Sequence, residues 1–433
     1  MAKRILLLIC FVLFYQNAHA LLEIEITQGS EGALPIAVVP FYWEGPASVA
    51  PVDIAQVISS DLYSSGRFKP LPQQDMLAQP HTGDQINFRN WRILGVENMV
   101  VGSVRSAGSG YIVQFQLFDV FKGVQVKGAG ATITVRKQSL LRKAAHQISD
   151  IIFEKLTGVP GAFATRIAYV TEVRKSKQSR IYTLIIADSD GYNPHTVLRS
   201  KMPLMSPAWS PDGRKLAYVS FELGVPQVYI HEVGPGKREL VSSFKGINGA
   251  PAWSPNGKKL ALALSKDGSP DIYVLELASR RLTRLTRSYA IDTEPVWSPD
   301  GNTIVFTSDR GGKPQLYRAD MSSRRVERVT YEGSYNARAA FSPDGKFLAM
   351  VHRDRGNYRI AVMELESGTL RVLTDGRLDE SPSFAPNGSM VTYATEYRFK
   401  GVLSAVSVDG SVKLRLKSPE GDAREPAWSP YRQ

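Results

Sequence analysis

The chain has 433 residues, 43% of them hydrophobic and 22% charged, with a formal net charge of +12. That length exceeds one ordinary core and predicts two or more domains, and the composition excludes a disordered or membrane-embedded chain. The basic excess does not by itself signal nucleic acid. Arg214, Lys215, Lys258, Lys259, Arg280 and Arg281 are scattered over turns and outer strands as solvated positions would be, serving solubility and the steering of acidic partners.

Residues 1–20 read as a secretory signal peptide. Lys3 and Arg4 precede an apolar run from Ile5 to Tyr15, and Ala18-His19-Ala20 supplies small residues for cleavage after Ala20. The run is too short to span a bilayer. Cys10, the only cysteine, follows Ile9 rather than a small residue and sits inside the run, which disfavours lipidation. The mature chain then holds no disulfide, thiolate nucleophile or Cys-ligated metal. A soluble periplasmic protein is expected, with no direct membrane insertion.

Residues 21–160 form a first domain, an α/β unit with a mixed sheet and two helices. At its start Leu22, Ile24 and Ile26 alternate with Glu23, Glu25 and Thr27, and Gly29–Gly32 offers a hinge. The segment is either an ordinary edge strand or a detachable one (21–32) able to pair with its own protein or a partner. Pro35–Phe41 reads as a buried strand. A helix begins at Pro51, carries Val52, Ile54, Val57, Ile58 and Leu62, and stops at Gly66. Strands follow at Asn98–Val104, Tyr111–Val120 and Ala131–Val135. A second helix places Leu141, Ala144, Ala145, Ile148 and Ile152 on one face and ends at Gly158-Val159-Pro160, with 158–163 as the linker.

Residues 161–433 are repetitive. The aromatics of a WSPDG-like motif recur at Trp209, Trp253, Trp297, Phe341, Phe384 and Trp428, at intervals of 44, 44, 44, 43 and 44 residues. That period fits four-stranded propeller blades. Second-strand positions also number six (Ile167, Leu216, Leu260, Ile304, Leu348, Val391) but start one copy earlier. The offset predicts a six-bladed β-propeller closed by the C-terminal strand, in which Pro426–Ser429 completes the blade begun near Ile167. In each unit the aromatic is expected to pack between blades. Asp212, Asp300 and Asp344 are expected to shape turns rather than bind metal, because Asn256 and Asn387 replace them elsewhere.

No chemistry is legible. His81, His146, His195, His231 and His352 lack metal-site spacing, and His146 reads as structural or solvent-exposed. There is no G-x-S-x-G elbow, phosphate loop or dinucleotide fingerprint, so no catalytic residue, cofactor or metal is assigned.

Beyond the generic repeat, "PIAVVPFYWEGP" (35–46), "FEKLTGVPGAFATRIAYV" (153–170), "ADSDGYN" (187–193), "ALSKDGS" (263–269) and the terminal "PAWSPY" carry a closer likeness. On these stretches the chain resembles, over essentially its whole length, the TolB family of periplasmic propellers of the Tol–Pal system. The resemblance implies a monomeric, non-catalytic interaction protein. It would bind Pal, the peptidoglycan-associated lipoprotein, around the propeller's central opening. It would bind inner-membrane TolA through Leu21, Leu22, Glu23, Ile24, Glu25, Ile26, Thr27 and Gln28. Association with the outer membrane through Pal, outer-membrane integrity, its invagination at cell division, other envelope proteins and colicins belong to the same implication; nucleic acid does not.

The loops before each repeat aromatic converge on one rim. The Pal footprint is accordingly expected on Met205, Ser206, Ile247, Asn248, Ala250, Thr293, Glu294, Arg338, Glu380, Ser381 and Glu425, centred on Ile247, Ala250, Thr293 and Glu294, with a plain solvent loop as the bland reading of any one of them. Arg338-Ala339 departs from the usual residue-Pro pair. The alternative class is a propeller hydrolase or lyase acting on envelope polysaccharide or peptide through channel carboxylates.

Overall fold

The computed structural model describes residues 24–28, 32–416 and 421–431. The expected signal peptide with Cys10, Leu21–Glu23 of the expected TolA segment, and most of the Gly29–Gly32 hinge lie outside the described residues. The fold is an amino-terminal α/β domain followed by a six-bladed β-propeller.

The first domain contains β1 (Ile24–Gln28), β2 (Leu34–Val38), β3 (Tyr42–Glu44), α1 (Ile54–Ser64), β4 (Phe68–Pro70), α2 (Phe88–Ile93), β5 (Asn98–Ala107), β6 (Gly110–Asp119), β7 (Val124–Val135) and α3 (Leu141–Thr157). Its sheet is mixed: β2 runs parallel to β4 and β5, whereas β5, β6 and β7 form an antiparallel meander. The run Met99-Val100-Val101 is apolar throughout because both faces of β5 are covered. Val100 packs with Ile58, Leu62, Ile148 and Ile152 under α1 and α3. Met99 and Val101 pack with Trp91 and Val96 on the other side.

Several elements differ from expectation, and three of the differences have a plain physical reason. Helix α1 begins at Ile54 instead of Pro51, since the Asp53 carboxylate accepts the Gln56 N–H at 2.9 Å and takes the N-cap. The short helix α2 is a third helix where two are expected; six residues with a single buried one, Trp91, have no period to detect. Strand β7 starts at Val124 rather than Ala131; its first half is a largely exposed, glycine-containing edge with a register shift. At the other end of the domain, Gly158 caps α3 at φ 75°, a conformation glycine adopts without penalty.

The propeller opens with β8 (Arg166–Arg174), β9 (Arg180–Asp188) and β10 (His195–Ser200). Blade one is completed by Asp422–Trp428, antiparallel to β8 with Trp428 opposite Ile167 and Ala427 opposite Ala168. Ser429 N–H donates to Arg166 O at 2.8 Å, and Arg166 N–H donates to Ser429 Oγ at 3.0 Å. The terminal half-motif therefore closes the ring. The inner strands of blades two to six are Leu204–Trp209, Asn248–Trp253, Asp292–Trp297, Asn336–Phe341 and Glu380–Phe384.

Each repeat residue has a local job. Trp253 Nε1 donates to Ala208 O of the preceding inner strand at 3.1 Å, Trp297 to Ala252 O at 3.2 Å, and Trp209 to Ala427 O at 3.0 Å. The indole stitches neighbouring blades while its ring fills the seam. In the turn, Asp212 Oδ1 accepts from Ser210 Oγ and Arg214 N, and Asn256 Oδ1 accepts from Ser254 Oγ and Lys258 N in the same way. Asp and Asn do identical work, which is why they interchange.

Strand β1 pairs antiparallel with Lys413–Leu416, the outer strand of blade six, with Ile24 opposite Leu416 and Ile26 opposite Leu414. Blade six thereby gains a fifth strand. The chain start pairs with its own propeller, one of the two partners expected for an extended edge.

Candidate functional site

Inner strands run from one end of the channel to the other, so their two ends present different chemistry. At the end where they finish lie the Asp-Gly and Asn-Gly hairpins, and there the Asn387 hairpin of blade six and the Asp190 turn of blade one meet the amino-terminal domain. Asn387 Nδ2 donates to Pro160 O at 3.0 Å and Ser189 Oγ to Phe163 O at 2.7 Å. The interface encloses a cavity of about 350 Å³ lined by Phe153, Phe163, Met390, Leu414 and Trp428. The other end is open.

At the open end each inner strand carries one residue of positive φ that is not glycine: Ser206 (51°), Ala250 (47°), Glu294 (53°), Arg338 (55°), Ser381 (58°) and Glu425 (51°). Each coincides with a register shift against the second strand, so these are β-bulges. Left-handed backbone costs an L-residue about 1–2 kcal/mol. The next residue is proline in five blades and Ala339 in the fifth; having no N–H, proline loses nothing where the ladder is interrupted. Arg338-Ala339 thus keeps the bulge despite its different sequence.

These six residues line the mouth of a channel of about 780 Å³. Arg338 Nη2 donates to Glu425 Oε2 at 2.8 Å, joining blade five to the closing strand of blade one. Thr307 Oγ1 donates to Glu294 Oε2 at 2.8 Å and accepts from Arg338 N at 3.0 Å. Burial works against the Arg338 charge, but the carboxylates of Glu425, Glu294 and Glu380 outweigh it and raise its pKa. Ser381 is buried with an unpartnered Oγ.

Of the expected rim residues, Ser206, Ala250, Glu294, Arg338, Ser381 and Glu425 are brought together at the mouth. Met205 and Ile247 stand exposed beside it, and Thr293 and Glu380 are half-buried on the same strands. Asn248 is different. It is fully buried, accepting from Ser242 Oγ and Phe244 N and donating to Phe244 O. Its side chain builds the loop and is not presented to a partner. Asp292, held by Arg310, and Asn336, held by His352 and Gln315, occupy the equivalent place.

Sequence reasoning missed an apolar collar on the loops around this mouth. Leu223, Val225, Tyr289, Ile291, Tyr331 and Phe399 are all exposed, and the strand order puts their loops at the open end. No periodicity marks loop residues. The available signal was large apolar side chains recurring in the connections that lead to or from that end.

Among the described residues, one group of His and Asp atoms is close enough to share a cation: Asp61, His146 and Asp190. It lies at the domain junction, where Asp190 is already engaged by Arg142 and by Tyr192 N.

The architecture defines a class: a closed propeller with an α/β domain docked against its first and last blades. Family models for the TolB amino-terminal domain and the TolB beta propeller domain match residues 22–126 and 153–432. The Tol-Pal system protein TolB of Thioalkalivibrio sulfidiphilus is 61% identical over 98% of this chain and 97% of its own, and that of Nitrosococcus oceani is 61% identical with the same coverage. The crystal structure of TolB from Acinetobacter baumannii superposes with a TM-score of 0.87 at 42% identity, covering 95% of this chain and 100% of that one. The chain belongs to the TolB family and is a component of the Tol–Pal system.

Proposed function

We propose that the chain is a non-catalytic periplasmic connector, exported by the signal peptide at 1–20, that takes Pal at the open end and TolA through the strand at 21–28. In this role it sustains outer-membrane integrity and invagination at division. The observation that carries the reading is the asymmetry of the propeller. The hairpin end carries the amino-terminal domain against blades one and six, and the other end exposes apolar loops around strained, charged positions. Exposed apolar clusters rimmed by polar groups are the mark of a protein-binding surface, and strained backbone collects at such sites. The edge pairing of β1 suits a strand that can exchange one sheet for another.

Affinity measurements against the two purified partners test the division of labour. Glu294→Arg combined with Ala250→Trp is expected to weaken Pal binding at least tenfold with the thermal unfolding midpoint unchanged. Deleting residues 21–32 is expected to abolish TolA binding and spare Pal. Loss of both partners on deletion, or undiminished Pal affinity in the double variant, overturns the assignment.

A further inference from the structure

Helix α3 carries a buried histidine that the binding surface does not use. His146 is 1% exposed, and its Nδ1 lies 2.7 Å from Asp61 Oδ2 on α1. The same Asp61 oxygen accepts from Ser149 Oγ at 2.6 Å. The opposite ring nitrogen, Nε2, has no hydrogen-bond partner; it points across the domain junction at Asp190 Oδ2, 3.6 Å away in the turn after β9. Arg142, one turn earlier on α3, pairs with Asp190 and lies over the Tyr192 ring at 4.2 Å. A guanidinium and an imidazole edge of one domain thus face one carboxylate of the other.

We propose that the proton on His146 Nε2 is a pH-sensitive latch that holds the amino-terminal domain against blade one of the propeller. A neutral imidazole has one N–H. With that hydrogen directed to Asp61, Nε2 turns a lone pair toward the Asp190 carboxylate, acceptor against acceptor. The imidazolium instead turns a positive N–H toward Asp190.

The charged groups around the ring are Asp61 from α1, Asp188 at the end of β9, Asp190 in the turn after it, and Arg142 and Asp150 from α3 itself. Burial and Arg142 oppose the imidazolium, but the charge and hydrogen bond of Asp61 and the charge of Asp190 prevail, and the pKa rises from 6.5 to about 9. Burial likewise pushes Asp150 and Asp188 up from 3.8 to about 6. The signs agree. A raised histidine adds stability that is complete below pH 6.5 and fades as pH climbs through about 9. Raised carboxyls favour the docked state in their acid forms, a contribution lost between 3.8 and about 6. Asp61 acts within the first domain, so the part of the histidine shift that links to docking is the Asp190 charge, and through it docking strengthens as pH falls through the histidine's titration.

The His146 ring protons of the full chain, followed by NMR across pH 5–10, test this directly. A midpoint above pH 8 is expected, lowered by about one unit in Asp190→Asn. Hydrogen exchange of amides 141–149 and 188–193, corrected for intrinsic rates, is expected to lose about tenfold protection between pH 7 and 9.5, and to be flat in His146→Gln. A midpoint at or below 6.5, or wild-type protection that ignores pH, overturns the latch. So does one equivalent of zinc surviving dialysis whose chelation loosens the same amides, because the occupant would then be a metal. Should His146→Gln fail to fold, the wild-type titration and Asp190→Asn still decide.

Discussion

The two ends of each inner strand solve the same problem, reversing or deflecting the chain, with opposite chemistry. At the hairpin end, glycine takes the positive φ: Gly213 at 65° and Gly257 at 67°. A side-chain carboxylate or amide caps the same turn. At the open end, alanine, serine, glutamate and arginine take it, and no glycine relieves the strain. The hairpin end is made for stability. The open end keeps side chains where stability alone would choose glycine, which fits a surface whose side chains have a use.

That contrast can be broken in graded steps. The largest effect is expected from removing residues 422–433. Blade one then loses its inner strand, and the calorimetric transition of the propeller is expected to fall by more than about 4 kcal/mol or to vanish; a truncated chain with an unchanged midpoint would mean that the ring does not depend on its closing strand. Next comes the seam between the two ends. Trp253→Phe keeps the ring but removes the bond to Ala208 O, at a cost of about 1 kcal/mol in urea unfolding. Phe341 and Phe384 hold this place without such a donor, so a cost near zero would show that packing alone suffices.

The smallest effect is the sharpest on the comparison itself. Gly257→Ala at the hairpin end is expected to destabilise by about 1 kcal/mol. Ala250→Gly at the open end is expected to stay within about 0.5 kcal/mol of wild type, because relief of the left-handed alanine offsets the added freedom of glycine in the unfolded chain. Equal losses at both positions would remove the distinction between the two ends.

Much of this was legible beforehand. The constant spacing of Trp209, Trp253 and Trp297 and the orphan Trp428 announced six blades and their closure, because a repeat that stacks on copies of itself must keep its period. The convergence of Ser206, Ala250, Glu294, Arg338, Ser381 and Glu425 followed from strand direction alone. Their left-handed backbone did not, since nothing in Ser-Pro, Ala-Pro or Arg-Ala names a positive φ. Asn248 was placed on the rim by its position next to Ala250, yet its carboxamide turned inward to satisfy loop amides that a linear reading cannot see. His146 read as structural or exposed. Its partners Asp61 and Asp190 lie 85 and 44 residues away, on another helix and another domain.

The order of residues by itself determined the domain division, the number of blades and the place where the ring shuts, because these depend on local pattern and on period, both of which are properties of neighbours in the chain. Only the tertiary structure decided which blades the first domain packs against, which polar side chains are spent inside loops, and how one domain grips the other. Those outcomes rest on pairs of groups distant in sequence, whose energies exist only once burial has removed water from between them.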